Sequence, residues 1–227
     1  MGVEARQYRY GDSYQETVQL SDGQRVRIRP IRPSDRKVLL KGFEQLSPES
    51  RYARFMTSKN SLTNRELRYL TEVDGIDHFA IGALRRHLVF RDEGVGSARF
   101  VRLAGQPDTA EPAVTVLDGF QGKGLGALLL QRLLNAAWER DIRWFRSELL
   151  ASNVAMKRLA ESQSPEVEFR PSGDGCLVAT FPVPEPNRTP TAPGLMKGTP
   201  LYRVLAHVAG ADITVRPRVT RPPPEPE

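Results

Sequence analysis

A glycine-rich segment between a β-favouring run and a leucine-rich helix is the feature that most constrains this chain. The segment consists of Gln121, Gly122, Lys123, Gly124, Leu125 and Gly126. Apolar residues then follow the spacing of a helix laid on a sheet, at Leu130, Leu133, Leu134, Ala137 and Trp138. Glycines let a ligand approach the main chain, and N–H groups at a helix start attract anions. The segment therefore predicts a cradle for a phosphate chain.

Three classes of cofactor use this kind of loop. Residues 122–127 fit the dinucleotide pattern G-x-G-x-x-G/A, with Glu148 at the end of the next predicted strand. In that fold the first glycine almost directly follows its strand, whereas residues 118–121 intervene here, and little chain remains for repeated βαβ units. The nucleoside triphosphate loop is absent because Lys123 is followed by glycine. Coenzyme A remains, and the alternative without a ligand is disfavoured because glycines weaken a helix start.

Composition bounds the other classes of function. Hydrophobic residues make up 39% of the 227 residues, and no run approaches the roughly 18 apolar residues that span a bilayer. The start of the chain has no apolar stretch like that of a signal peptide, so we expect a cytoplasmic protein with no membrane partner. A net charge of +6 favours anionic partners. The basic residues are spread along the chain without aromatic interleaving, which disfavours nucleic acid.

Thiol and metal chemistry are also disfavoured. Cys176 is the only cysteine, so no intramolecular disulfide can form. It lies in the apolar run CLVATF, which is typical of a small core residue. His78, His87 and His207 form no pattern around it. We predict no metal site.

The first third of the chain predicts a hairpin followed by three helices. Two β-favouring runs, ETVQL and RVRIRPI, flank an Asp-Gly turn at residues 21–24. Ser34 precedes apolar residues at helical spacing, and Ser47 is followed by proline at a first helical position. Thr63 and Glu66 form a capping box that predicts the third helix.

The rest of the domain predicts alternating strands and helices. Strands are expected at HFAIGAL, VGSARFVRL and AVTVL before the glycine segment. After the leucine-rich helix we expect a strand at WFRSELL, a helix from about Asn153 to Ser162, and two strands around VEFR and CLVATF. This order predicts an α/β domain.

Composition changes near Val183 and divides the chain. Eleven of the 18 prolines lie between Pro182 and Pro226. We therefore expect an N-terminal extension over residues 1–13, one domain over 14–183 and a largely extended or disordered tail over 184–227. Within the tail only LYRVLAHVA and DITV favour short elements.

The segment from VTVLDGFQGKGLG to ASNVAMKRL resembles motifs A and B of the GNAT superfamily of acyltransferases. Gln121, Gly124 and Gly126 match its Q/R-x-x-G-x-G/A signature. The phrases VRIRPIRPSD, LSPESRYARF and VDGIDHFA further resemble the acetyltransferase domain of bacterial Pat-type protein lysine acetyltransferases. The likeness covers roughly residues 14–183. It implies the GNAT fold, a mixed and mostly antiparallel sheet flanked by helices.

The resemblance also implies a cofactor and a site. Acetyl-CoA would bind the glycine segment, the main chain of the strand at Val114 and Val116, and Asn153 at the start of the following helix. Glu111 stands ten positions before Gln121, as does the catalytic glutamate of the Pat-like group, and would deprotonate the acceptor amine. Each assignment has a plain alternative: Glu111 as a solvated loop carboxylate, Asn153 as a simple N-cap, and Lys123 as a solvated charge.

The acceptor implied by the resemblance is a protein lysine, for example on an acyl-CoA synthetase-like enzyme. Acetylation of a small amine and a non-catalytic acyl-CoA sensor are the alternatives. Two departures motivate the sensor. Pro112 replaces an aliphatic residue and removes a strand donor, and NVAMKRLAES lacks the tyrosine that many relatives use as general acid. The arginines around RVRIRPIRPSDR and ESRYAR are interpreted as surface charges and helix supports, with guidance of an acidic substrate surface as the alternative.

Overall fold

In the computed structural model, which describes residues 7–86 and 92–186, eight strands form one sheet. The strands are β1 (Glu16–Gln19), β2 (Arg25–Pro30), β3 (His78–Arg86), β4 (Asp92–Leu103), β5 (Gln106–Val116), β6 (Trp144–Leu150), β7 (Glu168–Gly173) and β8 (Cys176–Pro182). Their order across the sheet is β1-β2-β3-β4-β5-β6-β8-β7. Neighbours are antiparallel except for β5 and β6. The mixed, mostly antiparallel sheet confirms the predicted fold class.

Five α-helices flank this sheet within the described residues. They are α1 (Arg36–Gln45), α2 (Pro48–Phe55), α3 (Asn64–Thr71), α4 (Leu125–Glu139) and α5 (Val154–Gln163). A Cβ added to Gly96 of β4 would lie 3.1 Å from Leu129 of α4, so this helix packs directly on one face of the sheet. Glu111, Ala113 and Thr115 of β5 line cavities on the opposite face, beside α1, α2 and α3. The two helical layers therefore enclose β4 and β5.

Local signals in the sequence are confirmed at several element boundaries. The β1–β2 hairpin turns at Gly23, whose φ is +86°. Ser47 caps α2 by accepting a hydrogen bond from the Ser50 N–H, and Thr63 caps α3 with Glu66 in a capping box. Ser34 precedes α1, as expected. Asp35 occupies the N-cap position of this helix, because a short 3₁₀ turn over Pro33–Asp35 comes first.

Strand β5 is longer than predicted and changes the setting of Glu111. It begins at Gln106 and pairs with β4 through Phe100↔Pro112 and Val101↔Glu111. The alternative that placed Glu111 in a loop is therefore wrong. The turn before β5 is made by Gly105, whose φ of +74° suits glycine, and the chain enters the ladder directly after it.

The described residues include parts of the expected N-terminal extension and of the expected tail. Tyr10, which sequence assigns to the extension, is 3% exposed, and its carbonyl accepts a hydrogen bond from Arg140. The packed unit thus includes residues before the expected start. Residues 187–227, with both short elements expected in the tail, lie outside the described part. Among the described helices none is long and apolar enough to cross a bilayer.

Candidate functional site

The glycine segment forms the entrance to α4. Gly122 and Gly124 adopt φ values of +70° and +86°, which residues other than glycine rarely adopt. Gly124 is the N-cap and provides no side-chain cap. The first hydrogen bond of α4 is donated by the Leu128 N–H to the Gly124 carbonyl. The preceding N–H groups of the first turn lack intrahelical acceptors, and the helix end carries a partial positive charge.

The glycine segment is anchored by contacts with the β1–β2 turn, and the space beside Gly122 is empty. Lys123 Nζ lies 2.8 Å from Asp22 Oδ2, and this lysine holds the pKa of the Asp22 carboxyl down at about 2. The Ser21 N–H donates to the Lys123 carbonyl at 3.4 Å. A Cβ added to Gly122 would meet nothing within 4 Å. The main chain thus stays open to an anion, while Lys123 is committed to the β1–β2 turn.

Asp118 ties the glycine segment to α2. Its carboxylate accepts hydrogen bonds from the Ser47 N–H and hydroxyl, both at 3.0 Å, and from the Ser50 hydroxyl at 2.7 Å. The Gln121 side chain donates to the Val116 carbonyl at 3.1 Å. The end of β5, the segment and the α2 start therefore form one connected unit. Asp118 and the two serines carry no sequence signal for this role beyond the Ser47 cap.

A gap in the sheet opens beside β5. The parallel pairing of β5 with β6 covers two residue pairs, Thr109↔Trp144 and Ala110↔Phe145. The Leu117 N–H donates to the Val95 carbonyl of β4, so odd-numbered residues of β5 turn their main-chain groups toward β4. Even-numbered residues turn theirs toward the gap. The main-chain groups of Val114 and Val116 therefore face this gap, which leads to the α4 N-terminus.

The same alternation explains Pro112. Its missing N–H would have faced the gap, so the proline costs no hydrogen bond to β4. Its carbonyl points to the β6 side and accepts a hydrogen bond from the Ser147 hydroxyl at 3.3 Å. The strand continues through Pro112, which is buried. The strand donor that Pro112 removes is therefore not one that the pairing of β5 with β4 uses.

Glu111 stands at the point where the two strands separate. Its neighbour Ala110 makes the last β5–β6 pair, and the exposed Glu111 side chain lines a cleft of about 300 Å³ on the α2–α3 side. No cation among the described residues lies at ion-pair distance from its carboxylate. An unpaired carboxylate beside an open cleft can accept a proton from a bound group.

Two arginines line this cleft, and a histidine contacts one of them. Arg54 of α2 and Arg99 of β4 both line it. Burial, and next the neighbouring Arg54, lowers the pKa of Arg99 to about 9. Burial and then Arg99 lower the pKa of His78 to about 4. Sequence interpretation favoured a surface position for Arg54, with guidance of an acidic substrate as the alternative, and did not single out Arg99. A signal existed for Arg99, since a charged residue interrupts the apolar run VGSARFVRL.

Asn153 lies at the start of α5, as predicted. Its side chain accepts a hydrogen bond from the Met156 N–H at 3.0 Å and so caps the helix. The N-cap alternative is confirmed, and a cofactor contact by Asn153 stays a prediction. Gly126 is in the first turn of α4, where a Cβ would lie 3.7 Å from Leu159 of α5 and 3.8 Å from Val116. Gly126 thus allows close packing between β5 and both helices. Among the described residues no cluster of side chains could hold a metal ion.

These elements suit a ligand with a phosphate chain that enters a split sheet. The model of the Acetyltransferase (GNAT) domain family matches residues 25–163. The chain belongs to the GNAT acetyltransferase family. The match spans the hairpin's second strand, the cleft helices, the glycine segment and α5. The predicted family, and with it an acyltransferase fold, is therefore confirmed.

Pat-type acetyltransferases are among the relatives of this GNAT chain. Over 151 residues it is 32% identical to the acetyltransferase Pat of Mycolicibacterium smegmatis, covering 63% of this chain and 42% of that protein. It is also 32% identical to an acetyltransferase of Pseudomonas aeruginosa, covering 66% of this chain and 78% of the relative. The crystal structure of the GNAT domain of S. lividans PAT is 28% identical, with a TM-score of 0.67 and coverage of 76% and 99%. The chain thus spans less than half of the M. smegmatis protein.

Proposed function

We propose that this protein is an acetyl-CoA-dependent N-acetyltransferase whose acceptor is the side chain of a protein lysine. The observation that carries the proposal is the position of Glu111. Its unpaired carboxylate stands where β5 and β6 separate, on a strand that leads through Asp118 to the uncapped N-terminus of α4. One strand thus connects a base to an anion cradle.

The described residues suit the cofactor. N–H groups at Gly122, Gly124 and the first turn of α4 would hold its pyrophosphate. The main-chain groups of Val114 and Val116, which face the gap, would hold its pantetheine amides. Acetyl-CoA, when bound, supplies an acetyl group that is already activated as a thioester. Membership of the GNAT family supports this cofactor.

Glu111 would prepare the acceptor. A lysine amine has a pKa of about 10.4 in water, so at neutral pH most of it is protonated and cannot attack. The Glu111 carboxylate would take the proton and expose the nitrogen lone pair, a role worth typically 10²- to 10⁴-fold in rate. The strand fixes this residue, and the cleft would position the amine beside it.

A protein acceptor is supported by the sequence resemblance and by the cleft rim. The resemblance of VRIRPIRPSD, LSPESRYARF and VDGIDHFA to Pat-type protein lysine acetyltransferases favours a lysine, for example on an acyl-CoA synthetase-like enzyme. The cleft is open, and Tyr69 on its rim is 55% exposed. Exposed aromatic side chains are enriched in surfaces that bind proteins.

The decisive experiment compares wild type with Glu111→Gln. We expect the wild type to transfer radiolabelled acetyl groups from acetyl-CoA to a panel of acyl-CoA synthetase-like enzymes, and Glu111→Gln to lose 10²-fold or more of kcat. Calorimetric titration should give both proteins the same affinity for coenzyme A. Transfer to small amines alone would replace the protein acceptor with a small-molecule one. Binding of acetyl-CoA without any transfer would support a sensor instead.

A further inference from the structure

Two guanidinium groups line the cleft beside Glu111, here called the acceptor cleft. Arg99 belongs to β4 and is 5% exposed. It is paired in register with Ala113, while Glu111 is paired with Val101, so Arg99 and Glu111 are diagonal neighbours on one face of the sheet. Diagonal neighbours lie about 7–8 Å apart. Arg54 reaches the same cleft from α2. Its charge interacts electrostatically with the charges of Arg99 and Glu111.

Neither guanidinium forms a salt bridge with a carboxylate among the described residues. The ion pairs of this part of the chain include no carboxylate at ion-pair distance from Arg54 or Arg99. Arg99 donates to the Leu70 carbonyl at 3.1 Å and contacts His78, which are both uncharged groups at neutral pH. A buried cation without a counter-ion is costly, because its hydration is lost and no charge replaces it.

The charge balance of the cleft leaves room for one anion. Lys59 neutralises Glu66, so the charges that remain at the cleft are those of Arg54, Arg99 and Glu111. One positive charge is uncompensated. With a protonated acceptor amine bound, the cleft carries two uncompensated positive charges, and this total is the same before and after Glu111 takes the proton. A carboxylate on the acceptor would offset one of these charges.

We propose that Arg54 and Arg99 form a subsite for a carboxylate on the acceptor molecule. This inference rests on the proposed function, because it places the acceptor amine at Glu111. The separation of Arg99 from Glu111 fits a carboxylate within about two residues of the target lysine, since side chains two apart in an extended peptide share a face. The acceptor is therefore a lysine with an acidic neighbour, rather than one in a basic segment. Guanidinium groups suit this partner, because their forked donors match a carboxylate.

The test uses matched synthetic peptides with one lysine, a blocked N-terminus and either glutamate or glutamine two residues away. Wild type should acetylate the glutamate peptide with a kcat/KM roughly tenfold or more above that of the glutamine peptide. Arg54→Gln should reduce this preference to about twofold, and Arg54→Glu should reverse it. Arg65→Gln removes a charge from the exposed face of α3 and should keep the preference. Arg54 is chosen because Arg99 is buried and hydrogen-bonded within the fold.

A binding measurement separates this inference from the proposed function. Fluorescence anisotropy with coenzyme A present should show tighter binding of the glutamate peptide, and Arg54→Gln should remove the difference while coenzyme A affinity is kept. Equal rates and equal binding of the two peptides by wild type would overturn the carboxylate subsite and leave lysine acetylation standing. Selective binding without acetylation of any peptide would support the subsite and overturn lysine acetylation. Arg54-dependent acetylation of free amino acids would assign the carboxylate to a small acceptor.

Discussion

His78 lies between the exposed ring of Tyr69 and the buried guanidinium of Arg99. The two rings are 4.8 Å apart, and Arg99 Nη1 lies 3.2 Å from His78 Nε2. A guanidinium can only donate, so Nε2 accepts and the neutral ring carries its proton on Nδ1. Burial, followed by the Arg99 charge, lowers the pKa of His78 to about 4. The imidazole is therefore uncharged wherever the protein is folded near neutral pH.

This histidine should make the protein less stable in mild acid. The pKa of the ring is lower in the folded chain than in the unfolded one, where it is about 6.5. Protonation thus favours unfolding. The contribution of the neutral His78 ring to the stability of the fold is complete above pH 6.5 and is lost as the pH falls toward 4. Between pH 7 and pH 5 we expect wild type to lose on the order of 1–2 kcal/mol more stability than His78→Gln. Urea unfolding at both pH values measures the difference.

The Gln side chain is the matched replacement, because its carbonyl can still accept from Arg99. Asp74 is the other charged group at this position, and its carboxylate accepts a hydrogen bond from the main-chain N–H of His78. The pKa of this carboxyl is lowered, so Asp74 titrates below the window of pH 5 to 7. Parallel stability curves for wild type and His78→Gln between pH 7 and pH 5 would contradict the assignment.

Residue type alone could not place Arg54 or Pro112. The run ESRYAR shows helical spacing and charge, but whether Arg54 faces solvent or β5 depends on how α2 docks against the sheet. The effect of Pro112 depends on which side of β5 its main chain faces, which the pairing register decides. Glu111 could be singled out because the family motif fixes its distance from Gln121. The cleft around it comes from chain segments far apart in sequence.

At the scale of elements, Asp118 couples α2, the helix beside the cleft at Glu111, to the glycine segment. Ser47 is both the cap of α2 and a donor to Asp118, and Ser50 donates to the same carboxylate. Gln121 extends the contact to the Val116 carbonyl at the end of β5. Movement of α2 would therefore disturb the entrance to α4.

Asp118→Ala should weaken cofactor binding more than it weakens the fold. The exposed hydrogen bonds that it removes are screened by solvent, so the free energy of unfolding should fall by only about 1 kcal/mol. The glycine segment would lose its anchor on α2, and the Kd for coenzyme A should rise roughly tenfold. Calorimetry with coenzyme A and urea unfolding measure the two effects.

Ser50→Ala provides the comparison for Asp118. It removes one of the hydrogen bonds to the carboxylate and keeps both bonds from Ser47, so its effect on coenzyme A affinity should be clearly smaller. An Asp118→Ala protein with unchanged affinity for coenzyme A would show that the link to α2 does not position the segment.

The elements themselves could be predicted where a local signal sets them. The β1–β2 turn, the caps of α2 and α3 and the apolar stripe of α4 each depend on residues within a few positions. The extent of β5 could not, because Pro107 and Asp108 disfavour strands. Gln106 pairs with Leu103 of β4, and the Asp108 carbonyl accepts a hydrogen bond from the N–H of the distant Arg143. The order of β8 before β7 at the sheet edge is likewise a property of the whole sheet.

At the scale of the whole molecule, two parts of the sheet meet at a narrow junction. β5 and β6 share two residue pairs, and the gap beyond them is where we place the cofactor. Phe145 closes the junction from β6. Its ring lies 6.2 Å from that of Phe100 on β4 and 5.8 Å from that of Phe181 on β8, and all three side chains are fully buried. One apolar cluster thus bridges both parts.

Phe145→Ala should therefore destabilise the whole molecule rather than one edge. A buried phenylalanine cut to alanine costs about 3–5 kcal/mol, because contacts are lost and a cavity remains. Phe169→Ala on the edge strand β7 should cost less, because that side chain is only half-buried. Urea unfolding followed by tryptophan fluorescence, from Trp144 at the junction and Trp138 on α4, and by far-ultraviolet circular dichroism should give coincident transitions in wild type. If Phe145→Ala keeps wild-type stability, or if the two probes separate already in wild type, then the halves fold independently and the junction does not hold the cofactor gap in place.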